Sequence, residues 1–289
     1  MSAIEPEFIA SFWTLAGSSH PLTCQGVSVV PLEERIEAAA STGYIGFSFI
    51  ETDLAEILKT KSYAEIRKLL RSNGLHFVQL ELITNWFATG EAKRQSDAVR
   101  EHLLAAASEL EADHIKVVGD FADQFPVAEM VYSFGELCTR AASAGTKIAV
   151  ELTPLTNLFT PEECLQLIRQ SGASNGGLLL DVWHMGRAHI PFDALADIPA
   201  ELIYGVELDD ADLKVRGTLM EDTMRYRRLP GQGELEPAKL IASVHKAGYR
   251  LPYGIEIISD DHRKLSVKEQ ACVAIEASRK QMKVAEQYL

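Results

Sequence analysis

The chain has 289 residues, 28 Lys and Arg against 41 Asp and Glu, and a formal charge of −13. Nucleic-acid binders draw much of their affinity from a concentrated cationic surface, and this acidic total supplies none; nor does it suit an anionic membrane surface. Hydrophobic residues make up 47% and charged residues 24%, the balance of a folded soluble protein rather than a disordered one.

The stretch from Met1 to Glu7 is acidic where an export signal is basic, and no apolar run is long enough to cross a bilayer. Cys24, Cys138, Cys164 and Cys272 lie far apart without a C-x-x-C pair, so packing thiols are expected rather than a disulfide framework or zinc knuckle. These features predict a cytoplasmic protein, with residues 1–289 forming a single domain.

Short apolar runs rich in β-branched and aromatic residues recur along the chain, each followed by a longer amphipathic segment. They are SFWTLAG from Ser11, IGFSFIE from Ile45, HFVQLELI from His76, HIKVVGD from His114, KIAVELTP from Lys147, GLLLDVWH from Gly177, IYGVELDD from Ile203 and YGIEIIS from Tyr253. Successive starts are 26 to 38 residues apart until a last interval of 50. Eight such units without a Gly-rich dinucleotide fingerprint predict a closed (β/α)8 TIM barrel.

Punctuation supports the helices between them. Glu33 to Ala40 runs into Thr42-Gly43, Tyr63 to Arg71 into Asn73-Gly74, Val127 to Ala144 into Gly145, and Leu240 to Ala247 into Gly248; glycine just past a helix supplies its left-handed stop. Thr160-Pro161-Glu162-Glu163 reads as an N-cap, a proline at the first helical position and acids against the helix dipole. Two features exceed the pattern. A polar, Arg-rich loop from Asp209 to Glu236 follows strand seven, on the face where barrels carry their chemistry, and a long helix from Ser266 to about Leu289 is expected to pack across the barrel or join a second subunit as a homodimer.

Acids stand at the ends of the later strands: Glu151, Asp181, Glu207 and Glu256. Each follows a run that should be buried, where an unpaired carboxylate is costly unless protonated, hydrogen-bonded or bound to a cation. Converging on one barrel axis, they predict an oxygen-rich site for a divalent ion such as Mg²⁺ or Mn²⁺. His184, three residues beyond Asp181, is expected near the same opening, contacting substrate oxygens.

Glu151, the D-x-x-H of Asp181 to His184, the acid-bearing GVELDD strand, the loop from Arg228 to Glu234 and Gly254-Ile255-Glu256 together resemble the xylose-isomerase-like TIM barrel superfamily. That group holds sugar isomerases, 3-epimerases, inosose dehydratases and dehydroshikimate dehydratases. The resemblance implies Glu151, Asp181 and Glu256 as ligands of a divalent metal (Mn, Mg, Co or Zn), with Glu151 and Glu256 as the acid/base pair. It departs at strand seven, where Glu207 stands in place of the family's histidine ligand and Asp210 matches the trailing acid of its H-x-x-D. Glu207 as fourth ligand makes the set all-carboxylate, which selects a harder ion, demands nearby cations, or marks a site that has lost its metal.

The implied activity is isomerisation or epimerisation of a keto sugar or related polyol through a stabilised enediolate. A lyase or dehydratase on an inosose, keto sugar or dehydroshikimate-like substrate is the alternative, and a non-catalytic barrel subunit a third. The superfamily's abasic-site endonucleases need histidine-rich zinc sites and cationic loops, which this chain does not offer. In the loop after strand seven, Arg216, Arg225, Arg227 and Arg228 either balance local acids or reach back to surplus carboxylates or an anionic substrate. Arg216 and Arg228 are taken as substrate-binding, together with Trp13. Trp13, Trp86 and Trp183 are the candidates to wall a pocket, and Gly231-Gln232-Gly233 could offer backbone N–H groups to a phosphate. Gln79, Glu81 and Lys116, on early strands, are candidate inward polar contacts with no role assigned.

Overall fold

The computed structural model describes residues 6–24 and 26–289; the acidic segment from Met1 to Glu5 lies outside them. Eight parallel strands close into a barrel in sequence order. They are β1 (Phe8–Ala10), β2 (Gly46–Ile50), β3 (Phe77–Ile83), β4 (His114–Val117), β5 (Lys147–Glu151), β6 (Gly176–Asp181), β7 (Ile203–Leu208) and β8 (Tyr253–Ile255). Seven begin within one residue of the expected positions. The first does not: β1 precedes Ser11, and Phe12–Leu15 forms a 3-10 turn. Ser11 and Thr14 there bond to the end of β8 through the Ser11 N–H and Thr14 hydroxyl, both onto Ile255 O, so tertiary bonding overrides the strand-like composition of the run.

Helices α1 (Leu32–Thr42), α2 (Glu51–Ile57), α3 (Tyr63–Ser72), α4 (Gly90–Leu110), α5 (Val127–Ser143), α6 (Pro161–Ser171), α7 (Val182–Arg187), α8 (Leu219–Arg225), α9 (Pro237–Ala247) and α10 (Val267–Ala285) surround or follow the strands. The N-cap expected at Thr160 is formed, and as part of a capping box, with Thr160 and Glu163 each accepting from the other's backbone N–H. Gly43 and Gly248 take φ of 99° and 104° after α1 and α9, a region that costs a residue with a Cβ. Helix α10, opened by a Ser266–Glu269 capping box, packs against α1 and α9 and thereby closes the helical ring of its own barrel. The main core lies between sheet and helices, built from fully buried residues such as Phe47, Leu80, Val117, Val150, Leu180 and Ile255.

The strand register fixes which residues face the barrel axis. Side chains alternate along a strand, and neighbours in parallel register share a face. Lys116 pairs with Ala149, Glu151 with Leu179, Asp181 with Glu207, and Glu207 with Gly254, so all of them face the axis, at heights staggered by the tilt of the strands. The interior therefore carries a lower layer that includes Ala149 and Leu179. Above it stands an upper layer of Ser11, Ser48, Glu81, Lys116, Glu151, Asp181, Glu207 and Glu256. No helix among the described residues is long and apolar enough to cross a membrane.

Candidate functional site

The upper layer opens at the carboxyl end of the strands, the catalytic face of such barrels. Glu151, Glu207 and Glu256 are buried and bring one oxygen each within 4.8 Å of one another, as the sequence predicts. Gly254 makes this convergence possible, since a Cβ there would meet Glu207 Cγ at 2.8 Å. Two cations, rather than empty space, hold the acids apart.

Lys116, only 4% exposed, rises from β4 into the ring. Its Nζ donates to Glu207 Oε2 at 2.8 Å and lies 3.2 Å from Glu81 and Glu151 and 3.5 Å from Glu256. Burial alone would lower this ammonium's pKa, but Glu151, Glu207, Glu256 and Glu81 raise it well above the ordinary lysine value, so Lys116 is charged. Arg227, from the loop after β7, makes the second cluster: Nη1 donates to Asp181 at 2.9 Å and Asp209 at 2.7 Å and sits 3.1 Å from Glu256. Its Nε and Nη2 donate to Thr223 Oγ1. Asp181 is thus drawn towards Arg227 while the other three expected ligands surround Lys116.

Six carboxylates face these two cations, a formal surplus of four negative charges, which protonation relieves. Burial first, then neighbouring carboxylates, push Glu207 and Asp209 well above their ordinary values, against the pull of Lys116 and Arg227 respectively. Burial raises Glu151 to about 7, with Lys116 opposing and Glu256 assisting. Glu151 Oε1 has no aligned hydrogen bond although Lys116 stands 3.2 Å away; the pair is close but mutually misdirected. His184 is held below its ordinary value by burial, then by Arg227 and Lys116, so its imidazole is neutral. Its Nε2 lies 3.6 Å from Glu151 and 3.4 Å from Arg227, and its Nδ1 has no partner among the described residues.

Glu81, Lys116, Glu151, His184, Arg227 and Glu256 line a cavity of about 130 Å³ with Trp13, Thr153 and Met224, whereas Asp181, Glu207 and Asp209 are not part of its wall. Its volume is below the roughly 300–1,000 Å³ of ordinary ligand pockets and admits only a small molecule. Of the tryptophans, Trp13 alone walls it. Trp86 and Trp183 are packed in the core, their indole N–H groups donating to Val118 O and Asp222.

Arg216 and Arg228 do not reach the acids. Both line a separate cleft of about 540 Å³ beside Arg225, Tyr226 and Lys264. There Arg228 pairs with Asp212 at 2.6 Å and Arg216 stacks 4.0 Å over Tyr226. The loop pairs antiparallel at Asp210–Arg228 and Tyr226–Ser259, and this alternation turns Arg227 inward and its neighbours outward. The Gly231-Gln232-Gly233 turn offers nothing to a phosphate, because Asp210 accepts the N–H groups of Gly231, Gly233 and Leu235 as well as Ala211.

The oxygen spread of Glu151, Glu207 and Glu256 would suit a metal ion, and the cation standing there is Lys116. Nζ already stands 2.8–3.5 Å from these three carboxylates, and a divalent charge ~3.5 Å from an ammonium is repelled by on the order of 10 kcal/mol at an effective dielectric of about 20. With Lys116 charged and in place, the donor set does not fit a divalent ion.

The arrangement, a barrel with an acid-rich mouth from strands three to eight, defines a class. The chain belongs to the xylose isomerase-like TIM barrel family, which it matches over residues 36–279. It is 28% identical over 253 residues to 3-dehydroshikimate dehydratase of Pseudomonas aeruginosa, covering 83% of this chain and 38% of that protein. With inosose isomerase of Bacillus subtilis it shares 24% over 136 residues, 46% of this chain and 48% of that one. The chain thus spans well under half the length of the dehydratase it resembles. Among solved structures, the IOLI protein with a bound zinc atom superposes with a TM-score of 0.82 at 18% identity, covering 98% and 99% of the two chains. D-psicose 3-epimerase does so at 0.69 and 18%, covering 96% and 99%.

Proposed function

We propose that this barrel is an enzyme that removes a proton from carbon beside the carbonyl of a small keto sugar or related polyol, and so isomerises or epimerises it. The observation that carries this reading is Glu151: a buried carboxyl raised to about 7, in a cavity with a second carboxylate, Glu256, and two fixed cations. A group that titrates near the working pH both takes and gives protons efficiently. Glu151 and Glu256 form the acid/base pair, one removing a proton from the substrate carbon and the other returning one. Negative charge developing on the substrate oxygen is met by the positive charges of Lys116 and Arg227, which their carboxylate partners hold fixed in the wall of the cavity. Neutral His184 supplies a further hydrogen bond to a hydroxyl, and Trp13 covers an apolar sugar face.

A second reading follows from the dehydratase relatives, which match 83% of the chain. If a hydroxyl lies β to the carbanion, the same proton removal leads to loss of water, with Glu151 protonating the departing oxygen. The relatives are much longer proteins, so their whole activity does not transfer with the matched segment. The divalent ion expected from the sequence, Mn, Mg, Co or Zn, enters only if Lys116 withdraws from the ring; the zinc of the IOLI protein supports that variant. We place the protein in the cytoplasm, consistent with its four unpaired cysteines, and read residues 1–289 as one working barrel.

The test is a panel of keto sugars, inososes and 3-dehydroshikimate in deuterium oxide, followed by NMR. Deuterium uptake at carbon without loss of water identifies isomerisation; release of water with a new conjugated absorbance identifies elimination. Glu256→Gln should lower either rate by roughly 10²–10⁴ with the fold retained. Neither signal from any member of the panel would refute the proposal.

A further inference from the structure

We infer that Lys116 serves as the resident cation of this site, an ammonium standing where a divalent ion would otherwise bind, so that the protein works without a metal. The ring around Nζ is complete: carboxylates of Glu81, Glu151, Glu207 and Glu256 lie at 2.8–3.5 Å. These come from β3, β5, β7 and the end of β8, with Lys116 itself on β4, so the ammonium is gripped from across the barrel.

Its neighbours are arranged for that position. Ser11 Oγ donates to Glu207 Oε1 while Lys116 takes Oε2, and Ser48 donates to Glu81 Oε1 while Lys116 faces Oε2. Arg227 takes Asp181 and the second oxygen of Glu256. Every acid that could ligate an ion is therefore already committed to a side-chain cation. A lysine differs from a bound ion in a way that bears on substrate choice. It donates directed hydrogen bonds but cannot chelate two oxygens in one coordination sphere, so it favours a substrate presenting a single carbonyl oxygen to the cation, with the adjacent hydroxyl bonded elsewhere. The catalytic part of this inference rests on the proton-abstraction reading above; the binding part stands without it.

The test is metal binding by the intact protein, which does not depend on a substrate. Purified protein exposed to MnCl₂, CoCl₂ or ZnCl₂ and then dialysed should retain far less than one equivalent by elemental analysis, and millimolar MnCl₂ or MgCl₂ should leave its Tm unchanged. Lys116→Ala empties the centre of the ring and should gain a stoichiometric Mn²⁺ site, with a Kd ~100-fold or more below the wild type and a rise in Tm on adding the ion. Lys116→Gln, closer in size, serves the same comparison if the alanine variant does not fold.

One tightly held equivalent in the wild type overturns the inference. So does a Lys116 variant that folds and binds metal no better than the wild type. If substrate turnover is found, EDTA should leave the wild-type rate unchanged, and loss of that rate on chelation also overturns it. Failure of the substrate panel with a metal-free wild type and a metal-binding variant would remove the proposed reaction and leave the resident cation standing.

Discussion

Removing Arg227 tests the electrostatic account of the site most directly. Its guanidinium is buried and lies 2.7–3.1 Å from Asp209, Asp181 and Glu256, and its Cζ is 5.4 Å from the Trp183 ring centroid. Arg227→Met keeps much of the volume and deletes the charge, leaving buried Asp181 and Asp209 without their counter-ion and Glu256 with Lys116 alone. Breaking a buried ion pair from one side costs about 3–5 kcal/mol. At the ~2–4 °C per kcal/mol typical of domains of 150–250 residues, Tm should fall by roughly 6–20 °C near pH 7.5. The loss should also depend on pH. Asp209 is already pushed upward by burial and by Asp181 against the pull of Arg227, and without Arg227 it binds a proton more readily still. Protonation removes the uncompensated charge, so the deficit relative to the wild type should shrink as pH falls towards 5. Thermal unfolding followed by tryptophan fluorescence at pH 5 and 7.5 measures both effects. A fall of under ~2 °C at pH 7.5, or an equal deficit at both pH values, would mean that Arg227 does not compensate these charges.

Glu151→Gln should abolish most turnover and yet stabilise the protein at alkaline pH. With burial raising its folded-state pKa from the ordinary 4.5 of a glutamate to about 7, the stability contributed by the wild-type carboxyl is fully present below about pH 4.5 and is lost as pH rises through about 7. The uncharged variant should therefore be more stable above pH 7 by on the order of 3 kcal/mol and indistinguishable near pH 4.5; denaturant titrations showing no gain at pH 8 contradict this. Trp13→Ala should raise KM about tenfold with kcat changed only a few-fold, because the ring covers substrate without touching protons; steady-state kinetics with unaltered KM would exclude Trp13 from the pocket wall. Asp210→Ala leaves four backbone N–H groups without their acceptor, at a cost of about 2–4 kcal/mol. Limited proteolysis should then cut between Leu229 and Leu235, where the wild type resists; equal resistance would show that the turn is held by other means.

The barrel was legible because its signals are local and repeated. Gly43, Gly248 and Thr160 mark helix ends whatever surrounds them, and an apolar run between them has few other options. The site was legible only in part. Strand-end acids report where charge gathers, and Glu151, Glu207 and Glu256 do converge, but a sequence does not show what neutralises them. One clue was present. Lys116 sits in HIKV, a strand buried at every position, and lysine is almost never fully buried without a partner, so it pointed inward to an acid. Arg227 carried no comparable mark among four arginines, since its inward turn depends on the bridges at Asp210–Arg228 and Tyr226–Ser259, contacts distant in sequence. Arg216 and Arg228 carry the same charge and face the neighbouring cleft for that reason.

The stapling of the loop after β7 governs the kinetics of whatever passes through the mouth. A lid that must swing for each turnover makes release sensitive to solvent viscosity. Here Asp210 ties down residues 211, 231, 233 and 235 at once, and Arg227 rivets the segment to the charged layer beneath. A loop held in this way need not swing for each turnover, so added glycerol should slow the proposed reaction no more than it slows free diffusion, which kinetics in solutions of graded viscosity would check.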